Sequence, residues 1–93
     1  MSDSPVTVVE RHPNVVVVRV QPDRLDETNL SAVRADAAAA GAESPQLVVV
    51  LDLAKVSFLP SLSLGGLVQL SQGFKARGQR LVLTGLQPSV RET

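Results

Sequence analysis

Three serines, Ser57, Ser61 and Ser63, lie where an apolar run gives way to a small-residue segment, and their hydroxyls could serve as nucleophiles, phosphate acceptors or helix caps. A serine nucleophile needs a neighbouring base and a group that orients that base. The sole histidine, His12, precedes a proline in a segment typical of a turn near the other end of the chain. We therefore expect no catalysis here, and we predict that Ser61, which follows Pro60, caps a helix.

Four aspartates, Asp23, Asp26, Asp36 and Asp52, could form an acid/base pair or a metal cage. Asp26 is better placed as a helix N-cap and Asp36 falls on a helix face. Asp52, at the end of a strand, could bind a ligand, but the tendency of aspartate to accept local N–H bonds favours a structural role in the following loop. With one histidine and no cysteine, the chain lacks the usual zinc ligands, so we predict no metal and no cofactor.

The glycine pair Gly65-Gly66 matches neither common phosphate-binding spacing, G-x-x-x-x-G-K-[ST] or G-x-G-x-x-G. We predict instead that it allows a helix start to pack closely against a strand.

The amino-acid composition argues against nucleic acid as a binding partner. The 93 residues suit one domain, with nine basic and nine acidic side chains scattered along the chain and only two aromatic residues. Electrostatic binding to nucleic acid and base stacking on aromatic side chains are therefore not expected.

The start, M-S-D-S-P-V, lacks the features of a signal peptide, and no apolar run approaches the roughly 20 residues of a membrane span. We expect a cytoplasmic protein with no membrane insertion.

Four segments read as strands. Residues 6–11 and 14–20 are valine-rich runs joined through His-Pro-Asn, which predicts an antiparallel hairpin with the second run further inside the sheet. Residues 47–53 have the apolar character of a strand covered on both faces or flanked by crossovers, and residues 80–84 form a further strand. Alternation with helical segments makes this an α/β domain with a mixed sheet.

Two helices separate these strands. The first is predicted from Glu27 to Ala40, with Gly41 as its stop, and the second from about Ser61–Leu64 to Ala76, ended by Gly78. The predicted buried stripes are Leu30, Val33, Ala37 and Ala40 on the first helix and Leu64, Leu67, Leu70 and Phe74 on the second. Pro88 would open a third helix.

Several segments together resemble the STAS domain of anti-sigma factor antagonists. They are L-D at 25–26, V-V-L-D-L at 49–53, V-S-F-L at 56–59, L-G-G-L at 64–67, K-A-R-G-Q-R-L-V-L-T-G-L at 75–86 and P-S-V-R at 88–91. The resemblance implies a mixed sheet with helices on one side and a non-catalytic, protein-binding switch. Family members bind a serine kinase that is also an anti-sigma factor, and they lose that binding when the kinase phosphorylates them.

The switch position departs from the family pattern. Switched members carry Asp-Ser-Ser/Thr-Gly, whereas this chain has Pro60, Ser61, Leu62 and Ser63, with Leu62 aligned with the phosphoacceptor. Ser61 and Ser63 stay as candidate phosphosites, each one residue away. The resemblance implies a partner-binding surface formed by Asp26, Pro60, Ser61, Leu62, Ser63 and Leu64.

Two alternatives stay open at this point. The chain could be a STAS subunit of a lipid-transport ATPase or of a stress-sensing scaffold, or it could hold a nucleotide or lipid at the same helix start. The family usually continues through a full last helix, whereas this sequence ends at Thr93. We therefore also expect either self-association through the surface that such a helix would cover or a gain in stability when sequence beyond Thr93 is restored.

Overall fold

A computed structural model of the protein describes residues 6–85, which form a four-stranded sheet with two helices. The elements are β1 (Thr7–Arg11), β2 (Val15–Val20), α1 (Glu27–Glu43), β3 (Val48–Asp52), α2 (Ser61–Ala76) and β4 (Leu81–Thr84). The strand order is β1-β2-β3-β4, with β1 antiparallel to β2 and the other two pairs parallel. The predicted mixed sheet with an N-terminal hairpin and helices on one side is confirmed. The predicted third helix lies outside the described residues.

The core lies between the sheet and the helices. Alternate residues of β2 and β3 are fully buried: Val16, Val18, Val20, Val49 and Leu51. Their neighbours along the same strands, such as Val17 and Val50, are only half-buried. Residues 47–53 are therefore fully covered on one face only, and the alternative that holds for them is a strand flanked by two crossovers. Within residues 6–85, no helix is both long enough and apolar enough to cross a membrane.

The start of α1 follows the sequence prediction. Asp26 is its N-cap, and the carboxylate accepts a hydrogen bond from the Asn29 amide at 2.9 Å. The predicted stripe of Leu30, Val33, Ala37 and Ala40 is buried.

The end of α1 corrects the prediction for Gly41, because the helix continues to Glu43. A Cβ atom at Gly41 would lie 2.7 Å from Cε2 of Phe74 and 2.8 Å from Oε1 of Gln79. Gly41 is therefore explained by close packing between the two helices and not by helix termination.

Helix α2 gives one confirmation and two corrections. Gly78, with a φ of 75°, follows the C-cap as predicted. The N-cap is Pro60 and carries no side-chain cap bond, so the prediction that Ser61 caps the helix is wrong. Leu64 is 41% exposed and Ser63 only 2%, so the predicted buried stripe is wrong at its first position. The face centred on Leu67 continues one turn back to Ser63, and Leu64 lies about 100° around the helix from it.

A buried glutamine joins the carboxyl ends of the two helices. Nε2 of Gln79 donates to the carbonyl oxygens of Gly41, Ser44 and Leu47 at 3.2, 3.0 and 3.0 Å, while Oε1 accepts from Arg77 at 3.4 Å. This junction precedes β3 and β4, so it lies at the end of the sheet opposite the loops that follow β2 and β3.

Candidate functional site

The loops that follow β2 and β3 are bonded to each other at the carboxyl edge of the parallel strands. The amides of Ser57 and Phe58 both donate to the Asp23 carbonyl, at 2.8 and 3.0 Å, and the Leu25 amide donates to the Phe58 carbonyl at 2.9 Å. Arg24 and Phe58 form an isolated parallel bridge. These bonds hold the starts of α1 and α2 side by side, because each loop leads directly into its helix.

Phe58 is an exposed aromatic residue on this paired loop. Its ring is half exposed, and the guanidinium of Arg24 lies 4.9 Å from the ring centroid. Val56 and Leu59 are buried on either side of it in the sequence. The sequence prediction included neither Phe58 nor Arg24 in the partner surface. The sequence held a partial signal, because adjacent residues of an extended segment point to opposite sides, so Phe58 and Leu59 are not expected to face the core together.

The first turn of α2 presents an apolar side chain to solvent. Leu62 is 75% exposed and Ser61 is also exposed, whereas Ser63 is 2% exposed. Of the predicted partner-binding set, Pro60, Ser61, Leu62 and Leu64 therefore reach the surface here, and Asp26 is half-buried at the neighbouring start of α1. Ser63 does not join them.

Asp52 has the structural role that its position favoured. Its Oδ1 accepts a hydrogen bond from the Ala54 amide at 2.9 Å. Its other oxygen lies 3.8 Å from Nε of Arg19, which also pairs with Glu10 at 3.2 Å. This carboxylate therefore anchors the loop after β3 on the open face of the sheet.

The chemistry of a serine hydrolase is not assembled at this edge. His12 lies in the turn before β2, at the opposite end of that strand from the loop pair, and its Nε2 is 3.4 Å from Glu10. Residues 6–85 contain no cluster of three or more histidine, cysteine or acidic side chains that could hold a metal ion.

A groove separates the amino-terminal halves of α1 and α2. A Cβ atom at Gly66 would lie 2.6 Å from Cδ2 of Leu30, so this glycine permits close packing against α1 and not against a strand as predicted. A Cβ atom at Gly65 would have no neighbour within 4 Å. The groove has a volume of about 490 Å³ and is lined by Glu27, Leu30, Ser31, Arg34, Ser61, Leu62, Gly65, Gly66 and Gln69.

The comparison with protein families decides the assignment. The family described as the STAS domain matches residues 7–93. The chain belongs to the STAS domain family. The resemblance inferred from the sequence segments is confirmed, and no curated protein sequence matches the chain.

Solved structures show where else this STAS fold occurs. An anti-sigma factor antagonist from Mycobacterium paratuberculosis has 27% identity and a TM-score of 0.74, over 96% of this chain and 76% of that one. The anti-sigma factor antagonist SpoIIAA in its unphosphorylated form has 22% identity and a TM-score of 0.71, over 92% and 75%. The murine anion transporter Slc26a9 has 21% identity and a TM-score of 0.71, over 89% of this chain but 14% of the transporter. The last two similarities concern the fold alone.

Proposed function

We propose that this STAS domain is a non-catalytic regulatory module that binds a protein partner through the paired loops and the start of α2. The partner is a serine kinase acting as an anti-sigma factor in the cytoplasm, and the chain acts as its antagonist as one domain. The observation that carries the proposal is Leu62, an apolar side chain 75% exposed in the first turn of α2. The similarity to the anti-sigma factor antagonist from Mycobacterium paratuberculosis supports the class of partner.

The surface is suited to binding because it is ordered before a partner arrives. The bonds from Ser57, Phe58 and Leu25 fix the loop pair, so little conformational entropy remains to be lost there. Burial of an exposed leucine or phenylalanine side chain contributes about 1.5–3 kcal/mol. Leu62 and Phe58 can therefore act as apolar anchors.

The chain is expected to bind without the usual phosphorylation control. Leu62 has no hydroxyl at the aligned acceptor position, and the Ser63 side chain is 2% exposed, so a kinase could reach it only after the helix start opens. Ser61 is exposed in the same turn and is the more accessible candidate phosphosite. A partner adapted to this chain would offer an apolar contact for Leu62 in place of a hydroxyl.

Binding to a cognate anti-sigma kinase is the direct test, with one variant near the loop pair and one further along α2. Leu62→Asp should weaken binding by at least about tenfold, because the partner would have to desolvate a charge. Val68→Asp is the matched control, since Val68 is also exposed but lies six residues, about 9 Å, further along α2 from the loop pair. Equal loss in both variants would argue against the proposed surface.

Asp26 needs a variant that separates its two roles. Asp26→Asn removes the charge and keeps an N-cap of similar strength. Weaker binding with unchanged stability would assign Asp26 to the partner surface, and unchanged binding would assign it to the cap alone.

Phosphorylation is tested with the same kinase and ATP. The wild type should remain largely unmodified, whereas Leu62→Ser combined with Pro60→Asp and Ser63→Gly should create a phosphorylatable site. Stoichiometric phosphate on wild-type Ser61 or Ser63, together with loss of binding, would show a displaced switch and contradict the proposal.

A transport machine is the second candidate, because the STAS fold also occurs within the murine anion transporter Slc26a9. In that case the domain is an accessory subunit of a lipid-transport ATPase. A pull-down from cell extract distinguishes the two, because recovery of a transport ATPase supports this candidate and recovery of an ATPase-fold kinase with a sigma factor supports the first.

A further inference from the structure

Helix α1 carries an acid and a base that face the groove and have no ion-pair partner among residues 6–85. Glu27 and Arg34 both line it and are seven residues apart, which places them on the same face about 10 Å apart. Neither forms an ion pair or a hydrogen bond with any side chain of residues 6–85. Ion pairs do form elsewhere within these residues, between Arg11 and Glu43 and between Arg19 and Glu10.

Helix α2 repeats this spacing on the other wall of the groove. Leu62 and Gln69 are also seven residues apart, and both line the groove with Gly65 and Gly66 between them. Gly66 packs directly on Leu30, so the middle of this stretch of α2 is level with the middle of the Glu27 to Arg34 stretch of α1. The groove face therefore carries Glu27 and Leu62 at one end and Arg34 and Gln69 at the other.

We propose that a second copy of this chain binds to this groove face and forms a symmetric dimer. The two-fold axis lies in the interface and runs across both helices. Such an axis places α1 antiparallel to α1 of the second copy. Each contact between two different residues then occurs twice, once in each direction across the interface. Glu27 then pairs with the second copy's Arg34, and Arg34 with its Glu27. The small side chain of Ser31, near the midpoint, lets the two helices approach.

The same operation brings the α2 helices together antiparallel. Leu62 contacts the aliphatic part of the second copy's Gln69 and the open surface at its Gly65. Leu62, an exposed leucine, is thereby removed from water in both copies. We infer a second copy as the partner because the charges of α1 are self-complementary: Glu27 and Arg34 of one copy can pair with Arg34 and Glu27 of the other.

This inference goes beyond the proposed function, and its test uses the chain alone. If the proposed function also holds, the dimer covers Leu62 and therefore competes with the partner kinase. Self-association would then regulate kinase binding in place of phosphorylation, because it lowers the concentration of monomer with an accessible Leu62. That consequence rests on the proposed function, whereas the dimer does not.

Sedimentation velocity with charge reversal tests the dimer. The wild type should associate reversibly as its concentration rises from roughly the micromolar to the millimolar range, and added salt should weaken this association. Glu27→Arg and Arg34→Glu should each weaken association by at least about tenfold, because each replaces two attractive pairs by two repulsive ones. Combining the two substitutions restores opposite charges across the axis and should restore association to within about threefold of the wild type.

The controls keep the result interpretable. Lys75→Glu makes the same change of charge as Arg34→Glu on the side of α2 away from the groove, and it should leave association unchanged. The exchanged side chains are exposed, so circular dichroism melts should show folded variants. A monomer throughout the concentration range would overturn the proposal. So would association that the single reversals leave unaltered, or a double variant as weak as the single ones.

Discussion

Substitution of Gln79 should destabilise the domain more than any exposed polar substitution. The side chain is 6% exposed, and its amide group donates to three carbonyl oxygens from the end of α1 and the loop before β3. Gln79→Leu keeps the approximate volume and removes both N–H groups. The carbonyl groups would then lose their donor in a partly buried position that water reaches poorly.

The expected loss follows from the number of bonds. Two N–H groups can make two full hydrogen bonds at a time, each worth about 0.5–1.5 kcal/mol net, with the upper part of the range applying to buried groups. The loss is therefore about 2–3 kcal/mol, against a total of about 5 kcal/mol or somewhat more for a domain of this size. For 60–100 residues each kcal/mol lowers the melting temperature by about 4–8 °C, so Tm should fall by about 10–20 °C.

Urea unfolding followed by circular dichroism measures this loss, with Gln69→Leu as the matched control. Gln69 is exposed and its side chain makes no hydrogen bond within residues 6–85, so its substitution should change the free energy of unfolding by less than about 0.5 kcal/mol. Gln79→Glu keeps the shape but replaces the donors by acceptors, and it should cost at least as much as Gln79→Leu. A Gln79→Glu variant as stable as the wild type would refute the argument that N–H donation joins the two helices.

Three further predictions concern the fold beneath the site. Gly65→Ala should raise the free energy of unfolding by about 0.5–1 kcal/mol, since alanine is the better helix former and the position is open. Gly66→Ala should lack this gain, because its Cβ overlaps Leu30, and paired urea titrations compare the two; an equal gain would contradict the close packing. Asp26→Ala should lower the free energy of unfolding by about 1 kcal/mol through loss of the cap, a change that thermal melts would detect. Amides of residues 48–51 should exchange most slowly in hydrogen-exchange experiments, and rapid exchange there would contradict the central position of β3.

Local chemistry was enough to predict the elements and the general place of the site. The Asp26 cap, the buried stripe of α1 and the stop at Gly78 depend on residues within one or two turns of each other, so their spacing is visible in the chain. The hairpin and the crossovers follow from the alternation of short β-branched runs with helical segments. The resemblance of residues 56–67 to the STAS pattern, a separate source of information, placed the candidate site at the start of α2.

Other features depended on contacts between distant parts of the chain. Gly41 resembles a helix stop until Phe74 packs against it, and Gln79 resembles an ordinary loop residue until three carbonyl groups surround its amide. The exposure of Leu64 and the burial of Ser63 followed from which side of α2 meets the sheet. Side-chain spacing defines a helical face only to within about one residue, and the packing of two helices on one sheet decides the remaining rotation. That rotation determined which residues at the start of α2 can meet a partner.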